Sequence, residues 1–501
     1  MEADFDVIVI GAGINGAGIA RDAAMRGLKV LLLDKGDIGG GTSAASTRLI
    51  HGGLRYLEQF EFGLVRESLS ERETLLRIAP HLVRPLPLVI PIYKQGRRGP
   101  MMIRAGMIAY DLLSWGKSLP RHRMQSAATT LKQLPGLNRE GLVGSAVYYD
   151  AQVEFAERLV VENVLAAVEA GAEVRTYTRV TKLLTTEGRV TGVRLEGNFR
   201  NEIKADFVVN AAGPWVDELL SSDERLIGGT KGSHIVVAPF PGAPETAVYL
   251  EAFSDARPFF VIPWNGNYLI GTTDVRFEAD PDRACSETWE VDYLLAETNR
   301  AFPEAGLTRE QVLYTYSGVR PLPFTTNEDE QKITRRHFLR EHPQFRNLIS
   351  VVGGKLTTYR SLAEECVDRI IGDKGSVRCR TAEVPLPGAI DFIDLNPSSR
   401  LLRVYGSRAK QVVELAKTLG DENTFTAEII FAFEHEFAKT LADCFLRRTM
   451  IGLNADRGLG NLQAAADVGK RLLGWTQEHA VREVEGYREE IRRVDCGFRQ
   501  Q

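Results

Sequence analysis

The sequence predicts an α/β protein: a Rossmann-type dinucleotide-binding domain, a substrate-binding sheet domain inserted into it, and a C-terminal helical domain. Three observations predict this. An apolar run meets a glycine fingerprint near the N-terminus, and short β-type runs then alternate with helices and glycine turns up to about Thr358. After Pro385-Leu386-Pro387-Gly388 the spacing becomes helical, with few strand signals.

The first strand is the apolar run Asp6 to Ile10, followed by Gly11-Ala12-Gly13-Ile14-Asn15-Gly16. Gly11 makes a tight turn, Gly13 lets the backbone approach a pyrophosphate, and Gly16 lets the next helix pack closely with its N-terminus facing the phosphates. A second strand, Lys29 to Leu33, ends in Asp34, a carboxylate placed for ribose hydroxyls. The same carboxylate repels a 2′-phosphate, which disfavours NADP against NAD or FAD. Further strands are read at Phe207–Asn210, His234–Val237 and Tyr268–Gly271. In Asn210-Ala211-Ala212-Gly213-Pro214, small residues follow a strand and read as a tight turn with a helix start at Pro214.

The nucleotide-binding layer is not contiguous. It draws on residues 1 to about 80, 151–213 and 351–373, with the intervening strands forming a second sheet, and this oxidoreductase region spans 1–388. A helical cap domain spans 389–501, with helix-type spacing over Ser399–Leu419, Thr426–Thr449 and Leu462–Arg493.

Composition removes several classes. The chain of 501 residues is 44% hydrophobic and 26% charged, ordinary for a globular protein of two or three domains. A net charge of −4 gives no global attraction to nucleic acid, so an anionic ligand must be met by a local cation cluster. The five cysteines, Cys285, Cys366, Cys379, Cys444 and Cys496, have no CxxC spacing, which argues against a metal site and a disulfide scaffold and for a reducing compartment. No signal-peptide pattern and no apolar run of about 18 residues occurs, so the chain reads as neither secreted nor membrane-spanning.

Four segments concentrate chemistry. Thr47 to Leu57 holds Arg48, His51, the pair Gly52-Gly53, Arg55 and Tyr56, a mixture poorly suited to a packed core. Lys231-Gly232-Ser233-His234 precedes a strand. Tyr316 to Leu322 carries Arg320 and is followed by Arg335, and Gly353-Gly354-Lys355-Leu356-Thr357-Thr358-Tyr359-Arg360 opens a helix suited to an electron-rich group. Together they offer several cations to one small anion. No second glycine fingerprint is present for a nicotinamide partner.

The motifs GAGINGAG at Gly11, RLIHGGLRYLE at Arg48, KGSHIVV at Lys231, GTTD at Gly271, YSGVRPL at Tyr316 and GGKLTTYR at Gly353 resemble those of FAD-dependent glycerol-3-phosphate dehydrogenases, in that family's order. The resemblance runs to about Arg360 with high specificity and more loosely through the helical region, and relatives often carry glutamate where Asp34 stands. It implies non-covalently bound FAD and oxidation of sn-glycerol 3-phosphate to dihydroxyacetone phosphate, with hydride passing to flavin N5. It also implies a cofactor set of Gly11, Gly13, Gly16, Asp34, Ser46, Thr47, Arg48, Leu49, Gly213, Gly353, Gly354, Lys355, Leu356 and Thr357. His51 and His234 are the candidate bases, since their unperturbed pKa lies nearest neutrality. Arg320 and Arg335 fit a bidentate phosphate clamp, Arg55 and Tyr56 join the substrate pocket, and Lys355 would stabilise negative charge on the developing carbonyl oxygen.

Flavin electrons without a nicotinamide site need a membrane quinone or oxygen, so an oxidase forming hydrogen peroxide is the runner-up. A non-catalytic flavoprotein would have eroded the His and Arg set, and an amino-acid oxidase would need one carboxylate clamp where this chain offers Arg320 and Arg335. The stretch Arg97 to Lys117 places Met101, Met102, Ile103 and Leu112 beside Trp115 between flanking cations, which reads equally as an interfacial segment or a core helix with a basic edge. The resemblance favours the former. The expectation is a peripheral protein on the inner face of the cytoplasmic membrane that meets anionic lipid and a quinone, with a homodimer and the role of the C-terminal helices left open.

Overall fold

The computed structural model describes residues 3–196, 202–220, 225–326, 333–372, 377–393, 399–420 and 422–495. In chain order the first strands and helices are β1 (Phe5–Ile10), α1 (Ile14–Met25), β2 (Val30–Leu33), β3 (Leu49–Ile50), α2 (Arg55–Glu58), α3 (Phe62–Ile78), β4 (Val83–Tyr93) and α4 (Pro100–Leu113). They continue with β5 (Arg123–Ser126), α5 (Ala127–Gln133), β6 (Leu142–Val153), α6 (Ala156–Glu169), β7 (Glu173–Arg175), β8 (Val180–Thr186), β9 (Arg189–Leu195) and β10 (Glu202–Asn210). Next come β11 (Thr230–Val237), β12 (Ala247–Glu251), β13 (Pro258–Trp264), β14 (Asn267–Gly271), β15 (Val275–Arg276), α7 (Thr288–Ala301), β16 (Val312–Arg320), β17 (Phe338–His342), β18 (Phe345–Val352) and α8 (Tyr359–Ile371). The C-terminal region holds α9 (Arg400–Tyr405), α10 (Ala409–Leu419), α11 (Phe425–His435), the short turn α12 (Leu441–Asp443), α13 (Leu462–Leu472) and α14 (Gln477–Val494).

The glycine fingerprint folds as its spacing dictates. Gly11 stands at φ 104°, where an added Cβ would lie 2.5 Å from the Ala211 carbonyl oxygen, and a Cβ on Gly16 would lie 1.8 Å from the Gly11 carbonyl oxygen. No larger residue fits either place, so α1 starts directly against the end of β1. Strands β7, β2, β1, β10 and β18 run parallel, with β17 antiparallel to β18 at one edge, β9 antiparallel onto β10 and β8 antiparallel onto β9. The central strands β1 and β2 and the second halves of β10 and β18 are buried apolar runs, whereas the edge strand β7 exposes Glu173 and Arg175; α1, α6 and α8 cover one face. This parallel sheet with its crossover helices bears out the α/β Rossmann reading, and its strands β17 and β18 span Phe338 to Val352. Residue 373 lies outside the described residues.

The second sheet has ten strands in the order β15-β11-β14-β13-β12-β4-β6-β3, with β16 on β11 and β5 on β6. All of its pairings are antiparallel except β12 with β4. It carries His234 on β11 and Arg320 at the end of β16; one of its faces has a core of its own, while Ile50, Val83, Ala151 and Val153 at its β3 end join the core beneath the nucleotide sheet.

The C-terminal region is helical but more broken than its spacing suggests. The 399–419 stretch breaks at Gly406 (φ 57°), the 426–449 stretch at Phe437 (φ 61°), and the 462–493 stretch at Gly474 (φ 71°). After Thr440 caps a new turn by accepting from the Asp443 amide, Cys444–Arg448 forms a π-type turn. One cysteine departs from expectation: Cys285 is disulfide-bonded. Pairing depends on tertiary approach, which linear spacing does not report. Cys496 lies outside the described residues.

Candidate active site

A cleft of about 660 Å³ runs from the fingerprint to the face of the second sheet. At one end are Gly11, Gly13 and Asp34; Gly213, Leu356 and Thr357 lie along it; Ser46, Thr47 and Leu49 border the far end. Gly16 does not line the cleft, and acts instead through the close packing of α1. No side chain caps α1 at Gly13, and the Ile14 amide is met by Ser43 Oγ at 3.0 Å. Beyond that one bond, a helix N-terminus with no capping side chain at Gly13, beside two glycines, is a cradle for a pyrophosphate. The Asp34 carboxylate accepts from the Ala12 and Gly36 amides at 2.6 and 2.8 Å, and burial raises its pKa despite them. Its rigid seat beside the cleft suits ribose hydroxyls. The residues present therefore fit a flavin dinucleotide.

The far end is dominated by charge. Arg320 Nη1 and Arg335 Nη2 reach opposite oxygens of Asp274 at 2.9 and 2.8 Å. Burial alone would raise the Asp274 carboxyl, but the two guanidiniums override it and hold it below its ordinary value. Lys355 Nζ stands 3.9 Å from the centre of the Tyr56 ring and donates to Ser68 Oγ at 3.2 Å. Burial lowers the Lys355 pKa. Tyr56 is also buried, which would raise it, yet Lys355, Arg335, Arg55 and Arg320 together hold its hydroxyl below the usual tyrosine value. Arg55 does not border the cleft and reaches it through this field.

Both candidate histidines line the cleft and both are neutral at physiological pH. Burial pushes His51 down to about 4, with Lys355 and Arg55 adding to the effect and Asp150 opposing it. Burial lowers His234 well below its ordinary value, helped by Arg320 and Arg48. His234 Nε2 lies 2.9 Å from Thr47 Oγ1, its ring stacks on Tyr316, and its buried Nδ1 has no hydrogen-bond partner among the described residues.

Three of the cations singled out in the sequence are turned elsewhere. Arg48 borders the cleft, but its guanidinium makes two bonds of 2.7 Å to Glu157 on α6. Lys231 Nζ is bound by Glu287 and Glu290, each at 2.9 Å, and Arg360 by Glu71 and Glu364. Each meets a carboxylate far away in sequence or across the fold, which the local pattern does not reveal. The cations that border this end of the cleft beside Asp274 are Arg320, Arg335 and Lys355, with Arg55 behind them. Asp274 is the functional residue that sequence reasoning missed, although the GTTD motif contains it.

Residues 6–364 match the family model described as FAD dependent oxidoreductase, and residues 379–480 match the C-terminal domain of alpha-glycerophosphate oxidase. The chain is 46% identical to a glycerol-3-phosphate dehydrogenase of Synechocystis sp., covering 97% of this chain and 96% of that protein. The chain belongs to the FAD-dependent glycerol-3-phosphate dehydrogenase family. A more distant member, the aerobic glycerol-3-phosphate dehydrogenase of Staphylococcus saprophyticus, is 33% identical over 95% of this chain and 92% of its own length. The Bacillus halodurans glycerol-3-phosphate dehydrogenase, solved in complex with FAD, superposes with a TM-score of 0.79 at 28% identity, covering 100% of this chain and 97% of that one. As a member of this dehydrogenase family the protein is an FAD enzyme, and Gly11, Gly13 and Asp34 are the residues that would hold the dinucleotide.

Proposed function

We propose that the protein oxidises sn-glycerol 3-phosphate at its C2 hydroxyl to dihydroxyacetone phosphate and delivers the electrons to a membrane quinone. The observation that carries the substrate reading is the Arg320 and Arg335 pair, preset by one carboxylate beside Tyr56 and Lys355. Two guanidiniums fixed in orientation bind a phosphate in planar, bidentate fashion and hold the rest of the substrate in register. The relatives' names point the same way.

When bound, the flavin supplies a hydride acceptor at N5. The chain's side chains do the remainder. Arg320 and Arg335 orient the phosphate, and Tyr56 and Arg55 shape the pocket around the glycerol. His51 or His234, each kept neutral by burial, takes the hydroxyl proton. The Lys355 ammonium stabilises negative charge on the oxygen as the carbonyl forms. Ser46, Thr47, Leu49, Gly213, Gly353, Gly354, Leu356 and Thr357 supply the walls along which the cofactor lies.

Two features support a membrane acceptor. On α4, Met101 is 87% exposed, and Trp115 just beyond the helix is 73% exposed. Arg98 pairs with Glu58 at the end of α2, so the Phe60 to Phe62 turn, with Phe60 79% exposed, stands beside the start of α4. These apolar groups, with exposed Arg104 among them and Arg121 against the Trp115 ring, form a surface suited to an anionic bilayer. Arg98 itself is committed to Glu58 and Glu251 and is not a lipid contact. The second reading, an oxidase, is favoured by the C-terminal match.

Arg320→Ala tests the substrate reading. It is expected to lose about 2–5 kcal/mol of kcat/KM for glycerol 3-phosphate while leaving any slow turnover of glycerol unchanged. An equal loss on both substrates removes Arg320 from the clamp. Mixing the substrate-reduced enzyme with a ubiquinone analogue or with oxygen separates the two acceptors: rapid reoxidation by the quinone alone supports the dehydrogenase, and stoichiometric peroxide establishes the oxidase.

A further inference from the structure

Two loops border the end of the cleft where Asp34 sits. One follows β2 through Gly36 and Asp37; the other follows β7 through Thr176, Tyr177 and Thr178. They are tied to each other by the backbone, Tyr177 N donating to the Gly36 oxygen at 2.9 Å and Thr178 N to the Asp34 oxygen at 2.7 Å. Neither loop belongs to the helical region, yet both are held by it. Arg448 grips both oxygens of the buried Asp37 at 2.7 and 2.9 Å, and Arg447 Nε adds a third bond at 2.5 Å. Arg447 Nη2 continues to Asp443 at 2.7 Å, and the Tyr177 hydroxyl donates to the same Asp443 oxygen at 2.6 Å. Lys439 Nζ closes the circuit on the Thr176 carbonyl oxygen at 2.9 Å.

This circuit is built at the cleft itself. Arg447, Tyr177 and Thr440 border the same cavity as Gly11 and Asp34, and Arg482 and Glu483 of α14 stand on its rim. The π-type turn at Cys444–Arg448 brings two consecutive arginines onto the single carboxylate of Asp37. Burial would raise that carboxyl, and the two arginines keep it below its ordinary value, so the bonds are charge-assisted on both sides.

We infer that the C-terminal helical region forms one wall of the FAD site: the Asp37–Arg447–Asp443–Tyr177 clasp, with Arg448 and Lys439, fixes the two loops around the adenosine half of FAD and sets how slowly the dinucleotide leaves. These are positioning residues. The inference rests on FAD occupying the cleft with its ribose toward Asp34. With FAD so placed, Lys355 and His234 would hold its isoalloxazine end, away from the clasp, so the clasp would govern retention and not the flavin's surroundings.

The test starts from the yellow holoprotein, whose FAD content is measured first by acid release. FAD loss is then followed by flavin fluorescence under dilution for wild type, Arg447→Gln, Arg447→Lys and Tyr177→Phe. Arg400→Gln serves as a control, because it breaks the Glu428 pair inside the helical region away from the cleft. Losing charge-assisted bonds predicts release from Arg447→Gln faster by roughly ten- to hundredfold, a smaller increase in Tyr177→Phe, and partial recovery in Arg447→Lys. The visible flavin spectrum stays that of wild type, and Arg400→Gln releases FAD at the wild-type rate even where its unfolding midpoint drops. The inference is overturned if the Arg447 and Tyr177 variants retain FAD as wild type does, or if Arg400→Gln releases it just as fast as Arg447→Gln. A holoprotein that carries no FAD would defeat the cofactor reading beneath it instead.

Discussion

At the scale of single residues, the chain advertises its cations and conceals their assignments. Arg48, Lys231 and Arg360 look as site-like in sequence as Arg320, Arg335 and Lys355. The difference lies in where each carboxylate partner holds its cation: Glu157, Glu290 and Glu71 draw Arg48, Lys231 and Arg360 away from the cleft, whereas Asp274 holds Arg320 and Arg335 at its wall, and a linear pattern carries no such information. Asp274 is the reverse case, an acid inside a recognised motif whose work is visible only once Arg320 and Arg335 converge on it. The histidines were legible as residue types but not as protonation states. Because both are neutral, either can accept a proton, and His51→Asn and His234→Asn separate them. The substitution at the true base should slow substrate reduction of the flavin by about 10²–10⁴ in a stopped-flow single turnover, and if neither slows it another group takes the proton. Burial also makes the histidines a pH liability. His81 is buried with neither ring nitrogen hydrogen-bonded among the described residues, and burial pushes it down to about 4, as it does His51. A folded pKa below the unfolded value of about 6.5 means the unfolded chain binds more protons between those values. Stability is therefore full above about pH 6.5 and falls as the pH drops toward 4, by up to about 3 kcal/mol for each such group. In denaturant unfolding at pH 7.5 and pH 5, His81→Leu should narrow the difference between the two stabilities. An unchanged difference would show that His81 does not contribute to it.

Elements were legible where local sterics decide them. The β1, Gly11, α1, β2 and Asp34 order follows from apolar spacing and from two glycines whose neighbours leave no room for a Cβ. Gly16→Ala is accordingly expected to yield a colourless protein with a lower unfolding midpoint, since its methyl would lie 1.8 Å from the Gly11 oxygen. Normal FAD content in purified Gly16→Ala would contradict that packing argument. The helical breaks were less legible. Helix-type spacing continues through Gly406, Phe437 and Gly474, but each holds a positive φ where the chain turns to keep its apolar face on the core. Phe437 gives no local warning, because a non-glycine residue adopts that conformation under tertiary constraint. The turn at Cys444–Arg448 was invisible for the same reason, and with it the contact between the helical region and the cofactor cleft.

For the whole molecule, the composition reading left the surface undecided. An apolar helix with cationic flanks fits a buried element as well as an interfacial one, and only burial separates them. The structure gives α4 two faces. Met107 and Tyr110 are buried, Tyr110 within hydrogen-bond reach of Asp150 on β6, while Met101, Met102, Ile108 and Leu112 face outward. No helix among the described residues is long and apolar enough to cross a membrane, so attachment through this face would be peripheral. Binding of this kind combines apolar insertion with attraction of Arg104 and neighbouring cations to acidic headgroups, and the second term is screened by salt. The protein should co-sediment with vesicles containing anionic lipid at low salt, and less at high salt. Met101→Asp/Leu112→Asp alters two outward side chains and leaves the buried face of α4 intact. It is expected to release the protein from vesicles and to slow reduction of a bilayer-resident quinone, with turnover of glycerol 3-phosphate unchanged when a water-soluble acceptor is supplied. Vesicle binding that survives the double substitution would move the docking surface away from α4, and equal losses with both acceptors would mean that the substitutions damage the active site rather than its access to the membrane.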